Sequence, residues 1–210
     1  MAYLVLARHG LSEYNKQGLW TGWADPGLAP EGFEEAKKAG RSLTDIHFDF
    51  AYSADLKRAR QTLDEILKEL NLMDLPIKEA RELRERSYGI FTGKNKWQVK
   101  EKVGDEEFQR IRRGWDHPIQ EGESLKQVNA RIWSYYQSEI FPKLREGKNV
   151  IISSSGNAFR GLIKSLEDIP EDKIADLEFG IGEVYVYEID KEGRIISKEV
   201  RAQNPLKGKI

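Results

Sequence analysis

Short runs of uninterrupted apolar residues alternate with longer stretches of helical periodicity along this chain. No other feature restricts the fold as much. Leu4-Val5-Leu6-Ala7 and Val150-Ile151-Ile152 are apolar on both sides of the pleat. Strands of that kind are buried on both faces, as in a mostly parallel sheet covered by helices above and below. Residues 48–53 predict a second strand and Pro76-Ile77-Lys78 a short third one. Pro30 opens a helix whose apolar stripe is Ala36, Ala39 and Leu43. Further helices are predicted over residues 55–70, 124–144, 158–166 and 171–177, with one or two polar helices in 98–113. Residues 184–189 and 195–200 form a hairpin around Asp190-Lys191-Glu192-Gly193, with the last strand as an antiparallel edge. The expected fold is therefore α/β: a three-layer sandwich with a mostly parallel central sheet and helices on both faces. Residues 1–210 read as one domain, and residues 79–123 as an irregular excursion over one edge of the sheet.

Charge narrows the range of partners. With 34 basic and 35 acidic residues the chain has a net charge of -1, so any positive field must be local. Nucleic acid and membrane surfaces are not expected partners. Cysteine is absent, which removes a disulfide framework and a thiolate nucleophile. The N-terminus enters a strand directly, and no apolar run approaches the roughly 20 residues that a spanning helix needs. A cytoplasmic location is expected.

Two strands end in turns that are chemically unusual. The first runs into Arg8-His9-Gly10 and the later one into Ser155-Gly156-Asn157. In a parallel sheet both turns lie on the same edge, where ligands of open α/β sheets sit. Gly10 is expected to let the backbone pass close to a ligand. The second turn leads into a helix, and free N–H groups at a helix start attract anions. Arg58 begins another helix after a strand and can point to the same place. Two arginines and a helix N-terminus around one histidine describe a phosphoryl site, in which a neutral imidazole can act as nucleophile. One histidine and one carboxylate among arginines is poor cation chemistry, so no metal is expected.

Arg8-His9-Gly10-Leu11-Ser12-Glu13-Tyr14-Asn15 resembles the signature of the histidine phosphatase superfamily. More narrowly, the chain is similar to its cofactor-dependent phosphoglycerate mutases. The likeness continues through Trp20-Thr21-Gly22-Trp23, Leu56-Lys57-Arg58-Ala59, Leu83 to Gly89, Gly93-Lys94, Arg112-Arg113, Glu123-Ser124-Leu125 and Gly156 to Gly161. It implies a phosphoglycerate-mutase-like fold and the interconversion of 3- and 2-phosphoglycerate through a phosphohistidine at His9. 2,3-Bisphosphoglycerate is implied as the phosphoryl donor and a small phosphorylated carboxylate as the substrate. Arg8, Arg58, Gly156 and Asn157 would hold phosphoryl oxygens, and Glu85 would act as general acid and base. Ser12, Asn15, Thr21, Gly22, Tyr88, Lys94, Arg112 and Arg113 would line the substrate pocket. The resemblance also allows a homodimer.

The pattern breaks at two positions. Ser155 stands where the family has a second histidine that donates to the phosphoryl oxygens, and Ser87 stands where a histidine is usual. Loss of one preorganised donor typically costs about 10²–10³ in rate, so a slow enzyme is expected. The segment between Trp115 and Ser124 is also shorter than in the mutases, which would open the phosphohistidine to water. His47 is expected on the opposite sheet edge, and His117 lies in the shortened segment. Two alternatives stand beside the mutase: a phosphatase on a small phosphorylated metabolite using the same His9, and a non-catalytic protein that binds phosphometabolites.

Overall fold

The computed structural model describes residues 1–204. The first strand is β1 (Ala2–Arg8), followed by a short helix α1 (Glu13–Lys16) and then α2 (Pro30–Arg41). Next come β2 (Phe50–Ala54), α3 (Lys57–Glu69) and β3 (Ile77–Ala80). Residues 81–124 hold two 3₁₀ turns and the helices α4 (Lys96–Val103) and α5 (Asp105–Arg113). The remaining elements are α6 (Leu125–Tyr135), α7 (Phe141–Arg145), β4 (Val150–Ser154), α8 (Gly156–Leu166), β5 (Val184–Ile189) and β6 (Ile195–Arg201).

The six strands form one sheet in the order β3-β2-β4-β1-β5-β6. The first four run parallel, β5 pairs antiparallel with β1, and β6 pairs antiparallel with β5. Successive residues of the apolar runs point to opposite faces, as the twofold period of a strand demands. Leu4, Leu6, Val150 and Ile152 pack with Ile132, Tyr136, Leu144, Phe159 and Leu162 of the 125–166 helices. Val5, Ala7 and Ile151 pack with Ala39 of α2, with Leu43 just beyond it, and with Leu63 and Ile66 of α3. The result is the expected three layers.

Three details differ from expectation. The predicted helix over 124–144 is interrupted by a π turn at Tyr136–Ile140. Pro142 lacks the N–H that would continue the ladder, and its ring crowds the carbonyl four residues earlier. Residues 171–177 keep only a 3₁₀ turn at Ile174–Asp176. The antiparallel part of the sheet comprises both β5 and β6, because β5 also pairs with β1. No helix among the described residues is long and apolar enough to cross a membrane.

Adjacency of β1 and β4 matters most for the site. Arg8 pairs with Ser154, and the His9 amide donates to the Ser154 carbonyl at 2.9 Å. The turns after the two strands therefore start side by side. Residues 81–123 contribute Tyr88, Val99, Phe108, Ile111 and Ile119 to a small apolar cluster closed by Trp20.

Candidate active site

His9 follows the last residue of β1 and is only 4% exposed. Its Nδ1 lies 2.7 Å from the Gly10 carbonyl. A carbonyl only accepts, so Nδ1 carries the proton and Nε2 keeps its lone pair. Burial holds the imidazole pKa well below 6.5, and the positive charges of Arg58 and Arg8 push the same way. A neutral imidazole with a fixed tautomer is the state a nucleophile needs. The backbone at Gly10 is anchored by its N–H to Thr62 Oγ1 at 3.1 Å, and Thr62 in turn donates to the Arg58 carbonyl at 2.8 Å. A Cβ on Gly10 would sit 2.2 Å from the Gly32 carbonyl oxygen, so the packing of this turn against the start of α2 demands glycine.

His9 opens on a cavity of about 100 Å³. Arg8, Arg58, Glu85, Gly156 and Asn157 line it as well. Arg58 is fully buried, with Nη1 and Nη2 donating to the Ala24 and Gly22 carbonyls at 2.9 and 2.8 Å. Burial brings its pKa down to about 10. Arg8 donates through Nη1 to the Phe179 carbonyl. Gly156 makes room for this guanidinium, because a Cβ would lie 3.1 Å from Arg8 Cζ. Several buried donors here have no partner: Arg8 Nε, Arg58 Nε, Thr21 Oγ1 and Ser155 Oγ. Buried donors are normally satisfied, so those on the wall are available to a bound anion.

Glu85 reaches this edge because its loop is tied down on all sides. Ser154 Oγ donates to the Leu83 carbonyl at the end of β4. The Glu85 carbonyl accepts from Trp23 Nε1 at 2.8 Å and from Arg131 Nη2 at 2.9 Å. Its carboxylate accepts from the Arg86 amide at 2.7 Å and the Asn157 amide at 3.3 Å. The flanking arginines turn away. Arg84 grips Asp55 at 2.6 and 2.7 Å, and Arg86 is buried beneath α5, donating to the Ile111 and Arg112 carbonyls.

Asn15, Thr21, Gly22, Tyr88, Arg112 and Arg113 stand on the wall. Lys94 does not: it is exposed, with its amine over the Phe91 ring. Lys96 takes its place, buried at 7% exposure and lining the cavity. The cause is backbone pairing. Trp20 N donates to the Lys94 carbonyl and Lys96 N to the Gly18 carbonyl, and α4 then begins at Lys96, which turns that side chain inward. Burial, followed by the nearby Arg112 and Arg8 charges, lowers the Lys96 pKa to about 8. Ser12 is also off the wall. It caps α1 and holds Asn15 by two hydrogen bonds, at 2.8 and 3.2 Å. Ser155 lies directly behind the wall, fully buried at the N-cap of α8, where its side chain makes no capping bond. His47 is exposed, and His117 meets Glu107 at 3.1 Å, so neither histidine replaces the missing one.

Besides Lys96, two further charged wall residues lie outside the expected set. Arg160 donates to Asn157 Oδ1 at 2.8 Å and to the Ile174 carbonyl at 2.7 Å, and burial lowers its pKa to about 9. Its position three residues after Asn157 on one helix was the available signal. Glu178 faces Arg113 and had no local signal at all.

A model of the histidine phosphatase superfamily (branch 1) matches residues 4–200. The chain belongs to the histidine phosphatase superfamily. Within this superfamily it is 41% identical over 199 residues to a 2,3-bisphosphoglycerate-dependent phosphoglycerate mutase of Parvibaculum lavamentivorans, covering 94% of this chain and 95% of the relative. Among solved structures, a Bacillus anthracis phosphoglycerate mutase is 26% identical with a TM-score of 0.73, covering 96% of this chain and 93% of that one. A mycobacterial glucosyl-3-phosphoglycerate phosphatase shares the fold at a TM-score of 0.79 and 22% identity, covering 97% and 99%.

Proposed function

We propose that this chain is a 2,3-bisphosphoglycerate-dependent phosphoglycerate mutase that interconverts 3- and 2-phosphoglycerate. The observation that carries the reading is the pairing of His9, clamped as its Nδ1–H tautomer, with two groups of cations in one cavity. Arg8 and Arg58 form the inner group, beside the histidine. Lys96, Arg112 and Arg113 form the outer group, which suits a carboxylate carried on the same small molecule. Relatives covering nearly the whole chain at about 40% identity carry the mutase name. The orphaned donors fit a phosphoryl group, and the outer cations fit a second anionic group of a bisphosphorylated acid. When bound, 2,3-bisphosphoglycerate supplies the phosphoryl group that loads His9.

The residues divide the work as follows. His9 Nε2 forms the bond to phosphorus, and the Gly10 carbonyl steadies the imidazolium proton at Nδ1. Arg8 and Arg58 offset the charge that develops on the phosphoryl oxygens, and the start of α8 at Gly156 borders the same place. As the phosphoryl group passes to a substrate hydroxyl, the P–N bond to His9 breaks and Glu85 accepts the hydroxyl proton. In the reverse transfer Glu85 returns that proton to the leaving oxygen. The test is incubation with labelled 2,3-bisphosphoglycerate. Acid-labile label on His9, together with conversion of 3- to 2-phosphoglycerate without release of phosphate, is the expected result. Stoichiometric phosphate release would select hydrolysis instead, and an unlabelled protein would reject the nucleophile.

A further inference from the structure

Arg113 already has an anion of its own. Its Nη2 donates to the Glu178 carboxylate, and its Nη1 donates to the Leu177 carbonyl at 3.3 Å. Both side chains of this pair line the same cavity as His9. Unlike Glu85, which has a proton to move, Glu178 brings to the wall a carboxylate that repels a charged substrate and occupies donors the substrate would use. The side chains are 18% and 34% exposed, so solvent only partly screens them. Glu178 also tempers the neighbourhood. The Arg112 guanidinium is depressed by burial and by Arg113, and Glu178 offsets the latter.

We propose that Glu178 is a specificity-determining residue, whose carboxylate competes with the carboxylate of the substrate for the Arg113 guanidinium. The substrate must then displace Glu178 to gain its full set of contacts. Room for the displaced group exists, because the same pair borders an outer cleft shared with Arg110 and Asp176. Glu178 also follows the single 3₁₀ turn of Ile174–Asp176, which leaves it outside any helix or strand. The proposal rests on the phosphoglycerate reading of the site.

The test is Glu178→Gln, with calorimetric binding of 3-phosphoglycerate and of glycerol 3-phosphate, which lacks the carboxylate. Affinity for 3-phosphoglycerate is expected to rise about fivefold, the upper end of what a partly exposed ion pair is worth, and KM to fall by a similar factor. Glycerol 3-phosphate should change by less than about twofold. In an Arg113→Met background, Glu178→Gln should bring no gain. Unchanged or weaker binding of 3-phosphoglycerate, or equal tightening of both ligands, overturns the competition. If the unsubstituted protein binds both ligands equally, the phosphoglycerate reading itself is wrong and the proposal falls with it.

Discussion

Replacing Ser155 by alanine should stabilise the protein and slow it at the same time. A serine at a helix N-cap normally contributes about 0.5–2 kcal/mol through its bond to a helix amide. Ser155 makes no such bond, so that contribution is absent. Its hydroxyl is instead fully buried with no partner, a state that costs about 1–3 kcal/mol relative to an apolar group of similar shape. Removing the oxygen should therefore raise stability by about 1 kcal/mol, or about 2–4 °C in Tm for a domain of this size. The loss appears in catalysis. Ser155 is not itself on the wall but directly precedes Gly156 and Asn157, which are, and its hydroxyl is expected to turn toward a bound phosphoryl oxygen. Deleting that donor should slow phosphoryl transfer to His9 at least about tenfold. Calorimetric unfolding and single-turnover labelling from 2,3-bisphosphoglycerate measure the two effects on one preparation. A lower Tm would show that the hydroxyl is already satisfied in the free protein. An unchanged transfer rate would show that it does not serve the phosphoryl group.

Other substitutions separate the remaining parts of the site. Ser155→His restores a longer donor and should raise phosphoryl transfer at least about tenfold, whereas an unchanged rate would mean that the pocket has been rebuilt around serine. Lys96→Met should raise KM for 3-phosphoglycerate at least about tenfold, and Lys94→Met should leave it within about twofold, as steady-state kinetics would show. Lys96 is cationic only below its pKa of about 8, so substrate affinity should fall as pH rises through that value. The alkaline limb of kcat/KM should disappear in Lys96→Met. On the acid side His9 stays neutral well below 6.5, so the acid limb should not follow an ordinary histidine titration.

Much of the fold was legible because continuous apolar runs admit few environments. Leu4 to Ala7 and Val150 to Ile152 require helices on both faces, and both faces are covered. The turns after those strands were legible for the same reason, since parallel strands place their ends on one edge. Lys94 and Lys96 show where such reading stops. They are the same residue type two positions apart, and only the pairing of 94–96 with 18–20 decides which one turns inward. Glu178 is harder still. Its partner Arg113 is 65 residues away in the chain, and nothing local marks either residue as half of a pair.

The sequence by itself determined the layered sheet and marked Arg8, His9 and Arg58 as candidates for one site, because strand periodicity and the chemistry of Arg-His-Gly are local properties. Tertiary structure alone decided the His9 tautomer, the inward lysine, the orphaned Ser155 hydroxyl and the Arg113–Glu178 pair. Each of these depends on which distant groups share a desolvated space, and the strength of a charge or a hydrogen bond is set by that space.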